Sequence, residues 1–159
     1  MIRFGRLPRI GVCVGAVALL LGGGCSVSPG DKVAVGLREW KIDIKPESAR
    51  SGRIQFQIDN DGKLTHNLVL IHKKDPSELA LTPDGGVDLA VDRPIDEIKD
   101  LGPGSYRAAS PNVLAGDYLV VCTITQGADG QPLNHFQSGM WAKLKVVPKA
   151  RPDREPTTP

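Results

Sequence analysis

Alternation is what most restricts the fold of this chain. Trp40, Ile42 and Ile44 alternate with Lys41, Asp43 and Lys45, and Ile54, Phe56 and Ile58 alternate with Arg53, Gln55 and Gln57. A period of two places the apolar set on one face of a pleated strand and leaves the other face wet. Asn60-Asp61-Gly62 then supplies turn residues that tolerate positive φ. Residues 65–72 read as a third strand, with Leu68, Val69, Leu70 and Ile71 apolar on both faces, so a central, buried position is expected. Strands are also expected over 105–109, 118–123 and 143–147, separated by Gly102-Pro103-Gly104 and Gly116-Asp117 turns. Short strands joined by Gly, Pro, Asn and Asp turns, with little helix, predict an all-β sandwich of Greek-key type.

Residues 73–100 break the pattern. Asp75-Pro76-Ser77-Glu78 has an N-cap followed by Pro at the first helical position, which predicts a short helix to about Leu81. Pro83-Asp84-Gly85-Gly86 ends it in a turn, and 94–98 fits either a helical turn or an edge segment. No chemistry is assigned to this excursion.

The ends are expected to lie outside the fold. Arg3, Arg6 and Arg9 precede an apolar run over 10–21 and then Gly22-Gly23-Gly24-Cys25. This reads as an export signal, because the apolar run is well short of the roughly 20 residues needed to span a bilayer. Cys25 behind small residues is similar to the bacterial lipoprotein cleavage motif, so residues 1–25 are read as a signal ending at a lipidated Cys25. The departure is Gly22 where that motif usually has Leu. Residues 26–34 are read as a linker, 35–148 as the folded domain, and the Pro-rich, charged 149–159 as a disordered tail. Removing three arginines turns the net charge of +2 into about −1, a balance that calls for no nucleic-acid partner.

An exported chain normally pairs its thiols, yet loss of Cys13 with the signal and acylation of Cys25 would leave Cys122 alone. Metal ligation explains a lone thiol in an oxidising compartment. Cys122, His135 and Met140 lie between the strand-like run Leu119-Val120-Val121 and the alternating run Lys143-Leu144-Lys145-Val146-Val147, and His66 lies far upstream. Two imidazoles, a thiolate and a thioether match the donors of a trigonal copper site with a weak axial ligand. Taken singly, Cys122 and Met140 also read as ordinary core residues. His72, followed by Lys73 and Lys74, reads as a strand-end surface residue.

Three segments resemble the cupredoxin family of blue copper proteins, which includes plastocyanin, azurin, rusticyanin and sulfocyanin. They are Asn60-Asp61-Gly62 leading to His66-Asn67-Leu68; the run from Leu114-Ala115-Gly116-Asp117-Tyr118 to Cys122; and His135-Phe136-Gln137-Ser138-Gly139-Met140-Trp141. The resemblance implies one type 1 copper held by His66, Cys122, His135 and Met140. It gives Asn67 the role of a neighbour whose hydrogen bonds tie the ligand-bearing loops together. The chain departs from the usual pattern in the twelve residues between Cys122 and His135. Extra loop length costs only about 0.6 kcal/mol per doubling, so an outward bulge could leave the ligands in place.

The expected function is electron transfer outside the cytoplasm by a membrane-anchored monomer that exchanges electrons with redox partner proteins. Copper storage or delivery, and a metal-free interaction module, are the alternatives. An enzyme is not expected, because after the blue site is filled only His72 remains for a second copper centre.

Overall fold

The computed structural model describes residues 31–127 and 133–150. The expected signal with Cys25, most of the linker, nearly all of the tail and the middle of the Cys122-to-His135 loop lie outside the described residues.

Among the described residues ten strands form two sheets: β1 (Asp31–Arg38), β2 (Lys41–Lys45), β3 (Ser48–Arg50), β4 (Gly52–Asn60), β5 (His66–Ile71), β6 (Asp96–Leu101), β7 (Tyr106–Ala109), β8 (Asn112–Val113), β9 (Gly116–Val121) and β10 (Trp141–Val147). The first sheet has the order β2-β1-β4-β7, with β8 on β4, and the second has the order β3-β10-β9-β5-β6. The expected β-sandwich is what forms. β1 begins at Asp31, inside the stretch read as linker. Its alternating Val33, Val35 and Leu37 are fully buried and pair in parallel with β4.

Two layers of core explain why β5 and β9 are apolar on both faces. Leu68, Leu70, Tyr118 and Val120 point between the sheets, where they meet Val33, Phe56 and Leu144. Val69, Ile71, Leu119 and Val121 point the other way and are covered by Leu79, Val87 and Phe136. The 73–100 excursion is therefore a lid over the outer face of the second sheet. Its expected helix is a single 3-10 turn, Pro76–Glu78, capped by Asp75. Its 94–98 segment leads into the edge strand β6, which pairs with β5. Asp92 pins the lid from inside. Its carboxylate accepts from the Ala80 N–H at 2.6 Å and pairs with Lys73 at 2.9 Å.

Trp40 does not share the inward face of Ile42 and Ile44. It sits in the β1–β2 turn with 37 % of its surface exposed. His72 is exposed at the end of β5 and stacks on Tyr118, with ring centroids 4.9 Å apart. Lys143 and Lys145 lie on a solvated face, as expected, and pair with Asp75 and Asp117.

Candidate metal centre

Antiparallel pairing brings the candidate ligands to one end of the second sheet. β9 lies between β5 and β10 and runs against both, so its C-terminal end meets their N-terminal ends. His66 opens β5, Cys122 directly follows β9, and Met140 directly precedes β10. The two-residue period then sets their direction. Cys122 shares the inward face of Tyr118 and Val120, and Met140 that of Leu144 and Val146. Backbone bonds fix the spacing: Met140 N–H donates to the His135 carbonyl at 3.0 Å, and Cys122 N–H donates to the Met140 carbonyl at 3.0 Å.

His135 reaches this end by a loop closed at its base. The His135 N–H donates to the Ile124 carbonyl at 2.9 Å, and the Leu133 N–H to the Thr125 carbonyl at 2.9 Å. Because the two limbs bond to each other before the excess length begins, the long spacer does not displace the imidazole.

His66, Cys122, His135 and Met140 are all buried, none more than 1 % exposed. His66 Nδ1 lies 3.1 Å from His135 Nδ1, and Cys122 Sγ lies 3.3 Å from His135 Nδ1 and 4.0 Å from His66 Nδ1. The point equidistant from these three donors is about 2 Å from each, the length of first-row metal bonds to imidazole and thiolate. The set fits a metal ion, and its soft thiolate with two imidazoles fits copper.

Burial lowers the pKa of both imidazoles, and for His135 the neighbouring His66 adds to the effect. Burial also raises the Cys122 thiol, with the N–H groups of Ile124 and Asn67 offsetting part of the rise. Without metal the cluster is therefore held neutral, and a thiolate ligand forms only with release of a proton.

The surroundings hold the donors in place. The Asn67 N–H donates to Cys122 Sγ at 3.3 Å, its side-chain NH2 donates to Thr123 Oγ1 at 3.4 Å, and its Oδ1 accepts from the Asp100 N–H at 3.3 Å. The excursion braces the His135 loop. Asn134 Nδ2 donates to the Asp84 carbonyl at 3.5 Å, and Gln137 Nε2 to the Gly85 carbonyl at 3.3 Å. Of the two aromatic residues flanking the loop, Phe136 packs in the outer core with Trp141 partly buried against it. The ring that touches a candidate ligand is Trp40, edge-on to His135 at 5.2 Å and 82°. Sequence reasoning assigned Trp40 to a strand and gave it no place here.

The sulfocyanin (SoxE) domain family matches residues 43–151. The chain belongs to the sulfocyanin family. A sulfocyanin is a cupredoxin, a class of electron-transfer proteins that generally exchange electrons with redox partners and are generally not enzymes. The buried His-Cys-His-Met cluster is accordingly consistent with a blue copper electron-transfer site holding one copper. Among solved structures, the sulfocyanin fold is similar to dithionite-reduced auracyanin from the photosynthetic bacterium Roseiflexus castenholzii. The two share 20 % identity over 75 % of this chain and 98 % of that one, with a TM-score of 0.56. It is also similar to rusticyanin from Thiobacillus ferrooxidans, at 16 % identity over 75 % and 79 % of the two chains, with a TM-score of 0.52. Auracyanin A from Chloroflexus aurantiacus, described as a blue copper protein, matches at 17 % identity over 75 % and 100 %, with a TM-score of 0.51. At these identities the likeness speaks for the fold. No curated protein matches.

Proposed function

We propose that this sulfocyanin-family chain is an exported one-electron carrier whose copper is held by His66, Cys122 and His135, with Met140 as the axial ligand. The observation that carries the reading is the triangle of two Nδ1 atoms and one Sγ, sized for a single metal ion and sealed from solvent. When bound, copper supplies reversible Cu(II)/Cu(I) chemistry. The chain supplies rigidity: His66, Cys122 and Met140 sit at or beside strand ends and His135 sits on a loop tied by backbone bonds to Ile124 and Met140, so the ligands rearrange little between oxidation states. Trp40 covers one edge of the His135 ring, and Leu64, Ile124 and Leu133 give an apolar wall to the pocket beside it. Asn67 holds the thiolate and the His66 strand in a fixed relation.

Export by the N-terminal signal, anchoring through a lipidated Cys25 and a monomeric state complete the proposal. The physical support is the charge-then-apolar-then-small pattern before Cys25, which leaves Cys122 as the lone thiol. Mass spectrometry of the membrane fraction would find an acylated N-terminal Cys25, and Cys25→Ala would move the protein to the soluble fraction.

The deciding experiment is an optical and EPR spectrum of the purified protein loaded with one equivalent of Cu(II). An intense visible thiolate-to-copper band with narrow copper hyperfine splitting, both lost in Cys122→Ser, is the expected result. A colourless protein that does not retain Cu(II) overturns the reading. Fast electron self-exchange with slow loss of copper to a chelator separates a carrier from a storage or delivery protein.

A further inference from the structure

The Nε2 atom of His66 is fully buried and has no hydrogen-bond partner within bonding distance among the described residues. The group facing it is a carboxylate, with Glu39 Oε1 3.6 Å away. That oxygen is held in place, because it also accepts the N–H groups of Lys63 at 2.6 Å and Leu64 at 2.7 Å. Two successive backbone N–H groups converging on one oxygen make an anion cradle.

The fold builds this cradle from two turns. Parallel pairing of β1 with β4 sets Leu37 beside Asn60, so the residues that follow each strand emerge together. The Asp61 N–H donates to the Leu37 carbonyl at 3.0 Å and locks the junction. Buried Asn60 then shapes the 61–64 turn: its Nδ2 donates to the carbonyls of Leu64 and Leu101, and its Oδ1 accepts from the Gly62 N–H. Gly62 leaves room for the carboxylate in the cradle, since a Cβ there would stand 2.7 Å from Glu39 Oε1 and displace it. The N–H groups of Lys63 and Leu64, both aimed at one oxygen, favour the ionised carboxylate.

We infer that Glu39 is a positioning residue for His66: its cradled carboxylate faces the Nε2–H, fixes the imidazole with its Nδ1 lone pair toward Cys122 and His135, and places a permanent negative charge beside the metal centre. The outer nitrogen of a metal-binding histidine is commonly held by such an acceptor, which sets the tautomer and raises the basicity of the ligand nitrogen. A negative charge at this distance favours the more positive oxidation state of a bound metal. Glu39 therefore lowers the reduction potential. The inference rests on the copper reading only for this last effect.

Two readouts test it. Long-range 1H–15N spectra of the copper-free protein, taken where both imidazoles are neutral, report which nitrogen of His66 carries the proton. The expected result is the Nε2–H tautomer in the parent protein and a mixture in Glu39→Ala. A proton on Nδ1 in the parent, or an unchanged tautomer in Glu39→Ala, overturns the positioning role whether or not the protein binds copper. If Glu39→Ala does not fold, the parent spectrum still decides. Glu39→Gln preserves an acceptor for Lys63 and Leu64 but removes the charge. With copper bound it should keep the thiolate-to-copper band and shift the midpoint potential to a more positive value. An unshifted potential with the band intact refutes the electrostatic role, whereas a parent protein without the band refutes the copper reading instead.

Discussion

The backbone N–H of Asn67 donates to Cys122 Sγ over 3.3 Å, so the residue next to one imidazole also holds the thiol that completes the cluster. No substitution can remove this backbone bond directly. Its geometry depends on the Asn67 side chain, which spans from Thr123 beside Cys122 to Asp100 at the end of β6.

Asn67→Ala removes both side-chain bonds, which at 3.4 and 3.3 Å are long. The expected cost to the copper-free fold is about 1 kcal/mol. Copper release to a chelator should accelerate by more than that loss of stability explains. Denaturant unfolding and chelator kinetics on the same samples check the two parts. Unaltered release and an unaltered spectrum would remove Asn67 from the site.

Met140→Gln should keep a coloured centre and lower its potential, since the weak axial ligand tunes a site of this kind. An unchanged potential would mean that Met140 is ordinary core. Met140→Ala, by contrast, opens a cavity at a fully buried position and should destabilise the fold by about 2–5 kcal/mol. Voltammetry on the first variant and thermal unfolding on the second separate the two roles of one side chain.

Gly85 adopts φ +78°, and a Cβ there would strike the Gln137 side chain. Gly85→Ala should cost about 1–2 kcal/mol of backbone strain. It should also evict the Gln137 amide from the Gly85 carbonyl, loosening the loop that carries His135. Faster copper loss with an unshifted charge-transfer band is the expected result. Release as slow as in the parent would show that the excursion covers the sheet without bracing the loop.

Asp75 is held at about 2, below its ordinary 3.8, first by its bond to Lys143 and then by the N–H and hydroxyl of Ser77. The folded form releases this proton more readily than the unfolded form. The carboxylate thus contributes stability above pH 3.8 that is lost as pH falls through about 2. Asp75→Asn should be less stable than the parent at neutral pH, and the difference should close below about pH 2. Added salt should shrink it, because the pair is exposed. Urea midpoints of both proteins across this range provide the check.

The sequence by itself determined the strand periods, the turns between them and the identity of the candidate donors, because each is a local property. Alternation fixes which side chains share a face, and a chain with so few His, Cys and Met residues leaves little choice of soft ligands. Val33 alternates with Val35 and Leu37 and was legible in the same way, yet it fell in the stretch read as linker. What decided the site was pairing between distant segments. β9 running against both β5 and β10 turns sequence positions 66, 122 and 140 into neighbours. The 124–135 base closure makes the long spacer harmless, and the excursion becomes a lid and a brace only through contacts with β5, β9 and the His135 loop. Glu39 and Trp40 were invisible for the same reason. They sit in an unremarkable turn, and only the parallel register of β1 on β4 carries them to His66 and His135. Side-chain direction is set within two residues of backbone, whereas strand order is set by the burial of whole faces across the chain.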